Sequence, residues 1–247
     1  MTRGLILAAG RGSRMLGYRG GLPKCLVEIA GKTILQRQLD AYEEAGVNIS
    51  SIALVTGYSA RRFSDYRLQR FHNSFWATTQ MVESLLEADQ WLSSGPDTIV
   101  TYGDVFFEDA AIRALLSSND EIAVLYDVDW ISLWRQRFQN PLEDAESFIV
   151  DDSGYLLSIG QKMSDVNETS GQFMGLFKFS YHGWLKVASE LRAISPIRRR
   201  KLDMTSLFQY LLDRGFEIKG IPFKGVWGEM DSQTDLCLYR DQLSDSF

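Results

Sequence analysis

Cysteine and histidine are scarce in this sequence of 247 residues, which contains two of each. Cys25 and Cys237 provide neither a disulfide framework nor the paired spacing of a zinc site. No apolar run approaches the roughly 20 residues that a membrane-spanning helix needs. The formal net charge of −6 argues against a basic surface for nucleic acid. We therefore expect neither a nucleic-acid partner nor a membrane partner.

The amino terminus superficially resembles a signal peptide, because Met1-Thr2-Arg3 precedes a short apolar run. A glycine-rich loop interrupts that run within a few residues, so no signal peptide is predicted. Hydrophobic residues make up 45% and charged residues 23% of the chain, as in ordinary globular proteins. The length suffices for one sizeable α/β core. We therefore expect a cytoplasmic protein with a single domain over residues 1–247.

Strand-like and helical segments alternate in the first half of the sequence. Buried strands are predicted at Leu5–Ala8, Ser51–Thr56 and Thr98–Tyr102. Apolar residues at helical spacing predict helices over Lys32–Gly46 and from about Thr78 to Leu92, and a polar helix is expected after Gly57-Tyr58. This order is typical of a parallel sheet with crossover helices.

The second half of the sequence indicates more antiparallel pairing. A hairpin is predicted over Phe148–Ile159 and a strand over Gln172–Phe179, and the basic run Arg198–Lys201 is expected on a solvated loop. Further helices are predicted at Tyr181–Ala193, at Met204–Arg214 and from Ser232. The fold class is therefore α/β, with a mixed, mainly parallel sheet and helices on both faces.

A glycine-rich loop follows the first predicted strand. The loop spans Ala9–Ser13, and its glycines allow backbone N–H groups to turn toward an anion and approach it closely. Arg14 ends the loop and Lys24 follows Pro23, so two positive charges can converge on a polyphosphate. This stretch predicts a nucleotide site.

Two better-known glycine motifs do not fit this loop. A dinucleotide fingerprint needs a third glycine where Met15 stands, and the chain lacks the spacing of a P-loop. A later predicted strand ends at Gly103-Asp104, and ligands of open α/β sheets bind beyond the carboxyl ends of strands. Asp104 is therefore a candidate Mg²⁺ ligand, although aspartates after strands are also common helix caps.

Five motifs together resemble the sugar-phosphate nucleotidyltransferase family, and in particular its compact phosphocholine cytidylyltransferase-like bacterial branch. They are Ala8–Arg14, Pro23–Leu26, Ile159–Lys162, Gly171–Leu176 and Trp227–Asp231. The resemblance implies a three-layer, Rossmann-like (GT-A-like) fold. It also implies an Mg²⁺-dependent transfer of CMP from CTP to a small phosphorylated acceptor, with release of pyrophosphate.

The resemblance also implies roles for individual residues. Arg14 and Lys24 would be catalytic, meeting the terminal phosphates and the α-phosphate respectively. The Mg²⁺ ligands would be Asp104, Asp231 and, as a third partner, Glu229. The nucleotide would contact Leu7, Ala8, Ala9, Gly10, Arg11, Gly12, Ser13, Gln80 and Gly103.

Residues for the acceptor are predicted at Trp76, Asp127, Lys162, Gln172 and Trp227. An aromatic face beside a carboxylate such as Asp127 can hold a quaternary ammonium group, although tryptophans more often serve packing. Lys162 follows Gln161 where the family usually has glutamate, and this departure leaves the role of Lys162 open. The Asp127-x-Asp129 pair also resembles the metal-binding element of glycosyltransferases, a hypothesis that the glycine-loop motif disfavours.

Acceptors of the phosphocholine, aminoethylphosphonate or phospho-amino-acid-amide type are implied, with a role in cell-surface polysaccharide such as capsule. Two alternatives stay open. One is a sugar-1-phosphate nucleotidyltransferase that uses UTP or dTTP, and the other is a nucleotide-binding regulator without catalysis. A monomer or a homodimer is expected.

Overall fold

The computed structural model describes residues 2–12 and 21–244. Its strands are β1 Arg3–Ala8, β2 Glu28–Ile29, β3 Lys32–Thr33, β4 Ile52–Thr56, β5 Gln69–His72, β6 Thr98–Tyr102, β7 Val105–Phe107, β8 Ile122–Asp127, β9 Glu146–Val150, β10 Leu156–Lys162, β11 Gln172–Phe179, β12 Lys219–Phe223 and β13 Trp227–Glu229. Its α-helices are α1 Ile34–Glu44, α2 Met81–Leu86, α3 Asp89–Leu92, α4 Asp109–Ser117, α5 Trp130–Arg137, α6 Tyr181–Ala193, α7 Pro196–Arg199, α8 Met204–Asp213 and α9 Gln233–Ser244.

Seven strands form the central sheet in the order β12-β8-β11-β6-β1-β4-β5. β11 is antiparallel to both of its neighbours, β6 and β8, and the remaining pairs are parallel. The carboxyl ends of β1, β6 and β8 therefore lie at the same edge as the amino end of β11. The prediction of a mixed, mainly parallel sheet is confirmed.

Both faces of the sheet are covered, because successive side chains of a strand point to opposite faces. Leu5 and Leu7 of β1 belong to an apolar cluster that includes residues of α2, α3, α6 and α8. Ile6 of the same strand belongs to a second cluster with residues of α1, α4 and α5. The fold thus has the three layers that the resemblance implied.

Two predicted helices are wrong in extent. The helix expected from Thr78 to Leu92 is split into α2 and α3, and it begins only at Met81. The hydroxyls of Thr78 and Thr79 donate to the carbonyl of Phe75, and such side-chain bonds compete with helix formation. The polar helix expected after Tyr58 is a short 3-10 turn, because the following residues pair with β4 as strand β5.

The basic run Arg198–Lys201 is largely exposed, as expected, but its first two residues belong to the short helix α7 and not to a loop. Pro196 occupies the first turn of α7, where its missing N–H costs no hydrogen bond. The Nε atom of Arg199 lies 2.7 Å from the Oε1 atom of Glu83, so this one residue of the run forms an ion pair with α2.

A small ladder brings the carboxyl-terminal part of the chain to the ligand edge of the sheet. β13 pairs antiparallel with β7, and this register sets Glu229 opposite Val105. The N–H of Met230 then donates to the carbonyl of Asp104 over 2.8 Å. Two segments more than 120 residues apart in sequence therefore run side by side at this edge.

Candidate active site

The glycine-rich loop and the ends of β1 and β6 enclose a cavity of about 200 Å³, which we call the loop cavity. Ten residues that the sequence analysis assigned to a site line it: Leu7, Ala8, Ala9, Gly10, Gly12, Lys24, Trp76, Gln80, Gly103 and Asp104. Cys25, Thr79, Met81, Ser84 and Tyr102 complete the wall. The cavity lies between the two strands where the order of the sheet reverses, as expected for α/β folds.

Two glycines are required by the shape of this cavity. Gly12 has a φ of +65°, and a Cβ atom there would collide with the methylene stem of Lys24. At Gly103 a Cβ atom would lie 2.8 Å from the carbonyl oxygen of Leu7. At both positions, the backbone therefore lies closer to a neighbouring residue than a side chain with a Cβ atom would allow.

A buried glutamine holds the turn that carries Gly103 and Asp104. Gln38 of α1 is fully buried, and its Nε2 atom donates to the carbonyls of Tyr102 and Val105 at 2.8 and 2.6 Å. Its Oε1 atom accepts from the hydroxyl of Thr101 at 2.7 Å. Sequence reasoning missed this residue, and a glutamine on the apolar face of α1 was the available signal.

A second buried amide shapes the opposite wall. Asn73 donates from Nδ2 to the hydroxyls of Thr79 and Ser84, both at 3.0 Å, and accepts from the N–H of Phe75. These bonds fix the segment between β5 and α2, which presents Trp76 and Gln80 to the loop cavity. They explain why this polar stretch is ordered without being helical.

Lys24 lies between two of the predicted metal ligands. Its Nζ atom is 2.8 Å from Asp104 Oδ2 and 2.5 Å from Asp231 Oδ1. Burial alone lowers the pKa of Lys24, but the two carboxylates raise it above its usual value. Lys24 therefore keeps a fixed positive charge at the boundary of the loop cavity.

Asp104, Glu229 and Asp231 each offer a carboxylate oxygen, and these oxygens lie within 4.8 Å of one another. Burial, with the charges of Asp231 and Asp104, raises the pKa of Glu229 to about 8. Such crowding of carboxylates is relieved by a divalent cation, and oxygen ligands are those that Mg²⁺ prefers. The donor set therefore fits Mg²⁺.

Arg137 forms ion pairs with two of these carboxylates. The sequence analysis did not identify this residue. Its fully buried guanidinium lies 3.3 Å from Glu229 and 3.2 Å from Asp231. A third contact, of 2.9 Å, joins it to Asp235. Burial lowers the pKa of Arg137, but the surrounding groups raise it above its usual value, so the guanidinium stays charged. The available signal was its helical spacing from Trp130 and Trp134 on one buried face of α5.

Asp235 ties this cluster to the start of α9. Its Oδ2 atom accepts from the N–H groups of Asp231 and Ser232 at 3.0 and 2.8 Å, and its own N–H donates to the Ser232 hydroxyl. This is a capping box, and it fixes the backbone of Asp231. The position of Asp231 at the mouth of the last helix was predicted from this motif.

A second cavity of about 210 Å³, which we call the acidic cavity, adjoins the carboxylates. It shares Tyr102 and Met81 with the loop cavity. Among the residues that the structure describes, its lining includes five carboxylates and no lysine or arginine; the carboxylates are those of Asp144, Glu146, Asp203, Glu229 and Asp231. Burial, together with neighbouring carboxylates, raises the pKa of Tyr102 well above its usual value, so its hydroxyl stays neutral.

Residues 4–147 match the family model of the MobA-like NTP transferase domain. The chain belongs to this family of nucleotidyltransferases. It is 32% identical to a CTP:phosphoglutamine cytidylyltransferase of Campylobacter jejuni over 94% of this chain and 96% of that protein.

The fold of this nucleotidyltransferase is similar to that of two solved structures. The inositol-1-phosphate CTP transferase of T. maritima superposes with a TM-score of 0.76 at 19% identity, over 97% of this chain and 94% of the other. The CTP:phosphocholine cytidylyltransferase of Streptococcus pneumoniae gives a TM-score of 0.72 at 17% identity, over 98% and 99%.

The remaining predicted site residues of the nucleotidyltransferase lie in several parts of the structure. Gln172 lines the acidic cavity, and its amide bonds to the backbone of Glu146. Lys162 is exposed at the end of β10, and Arg11 is exposed with its guanidinium 5.6 Å from the Tyr58 ring. Ser13 and Arg14 lie outside the described residues.

Asp127 and Trp227 are not brought to either cavity. Their side chains bond to each other, with Trp227 Nε1 donating to Asp127 Oδ2 over 2.9 Å. The other carboxylate oxygen of Asp127 accepts from the N–H of Asp129. Both residues are buried, so their polar groups have a structural use that sequence alone did not reveal.

Proposed function

We propose that this nucleotidyltransferase transfers CMP from CTP to a small phosphorylated acceptor, with Mg²⁺ and with release of pyrophosphate. One observation carries the proposal. Lys24 lines the loop cavity, and its Nζ atom contacts Asp231, which lines the acidic cavity. Two adjoining cavities therefore meet at a positive charge and a carboxylate cluster, an arrangement suited to a reaction between two phosphates.

The Campylobacter relative supports CTP as the donor, because it is named for CTP and for phosphoglutamine. We infer an acceptor of the same general kind: phosphocholine, aminoethylphosphonate or a phosphorylated amino-acid amide. In this proposal the acceptor occupies the acidic cavity and the nucleotide occupies the loop cavity.

Backbone groups of the glycine loop hold the nucleotide in this proposal. Ala9, Gly10 and Gly12 line the loop cavity, and glycine-rich turns present N–H groups to phosphate oxygens. Arg14 would meet the terminal phosphates, and Lys24 the α-phosphate as negative charge develops there. Trp76 and Gln80 form the wall available to the base and ribose.

The chemistry needs no general base from the protein. A phosphate monoester has a second pKa of about 6, so the attacking oxygen is already largely anionic at neutral pH. His72 and His182 line neither cavity, in keeping with that expectation. The barrier is the repulsion between two anions, which positioning and fixed positive charge reduce.

Mg²⁺ would be held by Asp104, Glu229 and Asp231. When bound, it supplies charge neutralisation and polarises phosphate oxygens. Arg137 keeps Glu229 and Asp231 in place, and Gln38 keeps the turn of Asp104 in place.

The proposal is tested with the purified protein, Mg²⁺ and each of CTP, UTP, dTTP and ATP. Each nucleotide is offered with phosphocholine, aminoethylphosphonate, phosphorylated glutamine and glucose 1-phosphate, and pyrophosphate release is measured. We expect turnover with CTP and one of the amine-bearing acceptors. Faster turnover with UTP or dTTP and the sugar phosphate would overturn the proposal.

We also propose that the reaction takes place in the cytoplasm, where CTP is made, in a single-domain monomer or homodimer. Within the described part of the chain, no helix is both long and apolar enough to cross a bilayer. The activated product would then serve the modification of a cell-surface polysaccharide such as capsule. Loss of that modification on deletion of the gene is the corresponding test.

A further inference from the structure

The hydrogen bonds around Asn73 leave one donor unused at the wall of the loop cavity. Asn73 lies between β5 and α2 and is only 1% exposed. Its Nδ2 atom donates to the hydroxyls of Thr79 and Ser84, both at 3.0 Å, and both of these residues line the loop cavity. The direction of each bond therefore decides which hydroxyl can still donate to a ligand.

The backbone fixes the orientation of the Asn73 amide. The N–H of Phe75 lies 2.8 Å from Oδ1 of Asn73. A backbone N–H can only donate, so the atom that it meets must be the amide oxygen, and the NH₂ group must face the two hydroxyls. Because an amide NH₂ group only donates, Thr79 and Ser84 are both acceptors in these bonds.

The two hydroxyls differ in the use of their own protons. The hydroxyl of Thr79 donates to the carbonyl of Phe75 over 3.0 Å. The hydroxyl of Ser84 has no acceptor within residues 2–12 and 21–244. Ser84 is only 6% exposed, and its side chain is one carbon and one hydroxyl, so the unused donor lies at the cavity wall. Buried donors normally have a partner, so this one indicates an accepting atom of a ligand.

Ser84 lies away from the charged part of the loop cavity. The charged residues of the lining, Lys24 and Asp104, pair with each other. The wall formed by residues 73–86, all of them described, contributes Trp76 and Ser84 to the lining but no charged side chain. A nucleotide whose phosphates contact Lys24 therefore leaves this wall to the base.

Cytosine and uracil differ in the atom that such a donor can meet. N3 of cytosine carries a lone pair and accepts, whereas N3 of uracil carries a hydrogen and donates. A hydroxyl donor that faces N3 therefore bonds to cytosine, but it opposes the N–H of uracil. Sites built around a hydrogen bond reject an analogue that cannot form it far more strongly than apolar pockets reject a change of one methylene.

We propose that Asn73 and Ser84 together select cytosine over uracil. Asn73 donates to the Ser84 oxygen and so directs the hydroxyl proton into the cavity, where Ser84 donates it to N3 of the base. Ser84 thus contacts the substrate, and Asn73 is a positioning residue. The inference rests on the proposed function, in which the nucleotide occupies the loop cavity, and it adds the residues that choose the base.

The first test compares three nucleotides in their binding to the wild-type protein. CTP, UTP and 3-deazacytidine triphosphate, in which a C–H group replaces N3, are titrated by calorimetry with Mg²⁺ and without an acceptor. The deaza compound keeps the exocyclic amine and the O2 atom of cytosine, so it isolates the contact at N3. A buried donor left unpaired is costly, so we expect CTP to bind about tenfold more tightly than either of the others.

Ser84→Ala removes the donor. We expect this variant to bind CTP about tenfold more weakly and to bind UTP and the deaza compound nearly as the wild-type protein does. The three affinities then converge. Ser117→Ala is the matched control, since Ser117 is an exposed serine of α4 that lines neither cavity, and it is expected to keep the wild-type preference.

Asn73→Asp tests the positioning role through the direction of the preference. An ionised carboxylate only accepts, so the Ser84 hydroxyl would donate to it and turn a lone pair toward the cavity. That lone pair can accept from N3–H of uracil. We expect the ratio of CTP affinity to UTP affinity to fall below the ratio for Ser84→Ala, with circular dichroism as the check on folding. Should the buried charge unfold this variant, the two measurements above decide the proposal.

Equal affinity of the wild-type protein for CTP and its deaza analogue would overturn the inference, and so would an unchanged preference for CTP in Ser84→Ala. An equal loss of CTP and UTP binding in Ser84→Ala would also overturn it, because the hydroxyl would then meet an atom that both nucleotides share. If the wild-type protein does not bind CTP, or binds UTP more tightly, the proposed function fails instead. The two failures are therefore distinguishable.

Discussion

The loop cavity and the acidic cavity adjoin each other, yet they are built in opposite ways. Much of the loop cavity comes from backbone and small side chains of contiguous segments, such as Leu7–Gly12 and Tyr102–Asp104. The acidic cavity is built from side chains of elements scattered between Met81 and Asp231. In the proposed function, the nucleotide occupies the first cavity and the acceptor occupies the second, so the predictions below treat the two cavities separately.

Lys24→Met is expected to have the largest effect on turnover. Removing one preorganised charge that stabilises a transition state costs about a hundredfold or more in kcat. Steady-state pyrophosphate release measures it, and Lys32→Met is the control, because Lys32 pairs with Asp40 on the surface. If Lys24→Met changed the preference among acceptors and left kcat intact, the proposed catalytic role of Lys24 would be wrong.

Asp104→Asn and Asp231→Asn are expected to abolish most metal-dependent turnover, again by roughly a hundredfold. Each variant removes a negative charge from the cluster of three carboxylates, so binding of Mn²⁺, followed by electron paramagnetic resonance, is expected to weaken as well. Asp109→Asn is the control, because Asp109 is a half-buried residue at the start of α4, where it pairs with Arg113 away from the carboxylate cluster. Unchanged Mn²⁺ affinity in both variants would contradict the assignment of these ligands.

Arg137→Met tests whether the ion pairs of Arg137 with Glu229, Asp231 and Asp235 also stabilise the fold. Removing one partner of a buried ionic network leaves uncompensated charge, and this typically costs about 3–5 kcal/mol of stability. Urea unfolding followed by circular dichroism measures the loss, and Arg135→Met on the same helix but at an exposed position is the control. A loss below about 1 kcal/mol would show that the network does not stabilise the fold.

Trp227→Phe is expected to have the smallest effect on activity and a moderate effect on stability. It removes the donor of the 2.9 Å bond to Asp127, and a buried polar group left without its partner costs about 1–3 kcal/mol. Measuring kcat/KM for the acceptor beside the unfolding free energy separates the two roles. A selective loss of acceptor binding, at unchanged stability, would contradict this prediction and would support the original assignment of Trp227 to the acceptor site.

Sequence patterns were most successful where structure is local. β11 and α6 begin and end at the predicted residues, since each has a continuous apolar pattern of its own. The capping box at Ser232 and Asp235 was also predicted and is present. The segment from Tyr58 to Gln80 was predicted poorly, because an edge strand and the hydrogen bonds of Asn73 decide its conformation.

The sequence alone determined the glycine loop, the alternation of strands and helices, and the identity of Lys24, Asp104, Glu229 and Asp231 as candidate site residues. These features depend on neighbouring residues or on short motifs, so they can be read along the chain. Only the tertiary structure decided that Arg137 and Gln38 support the site and that Asp127 and Trp227 bond to each other. The physical reason is that a buried polar group needs a partner, and its partner is chosen by packing between elements distant in sequence.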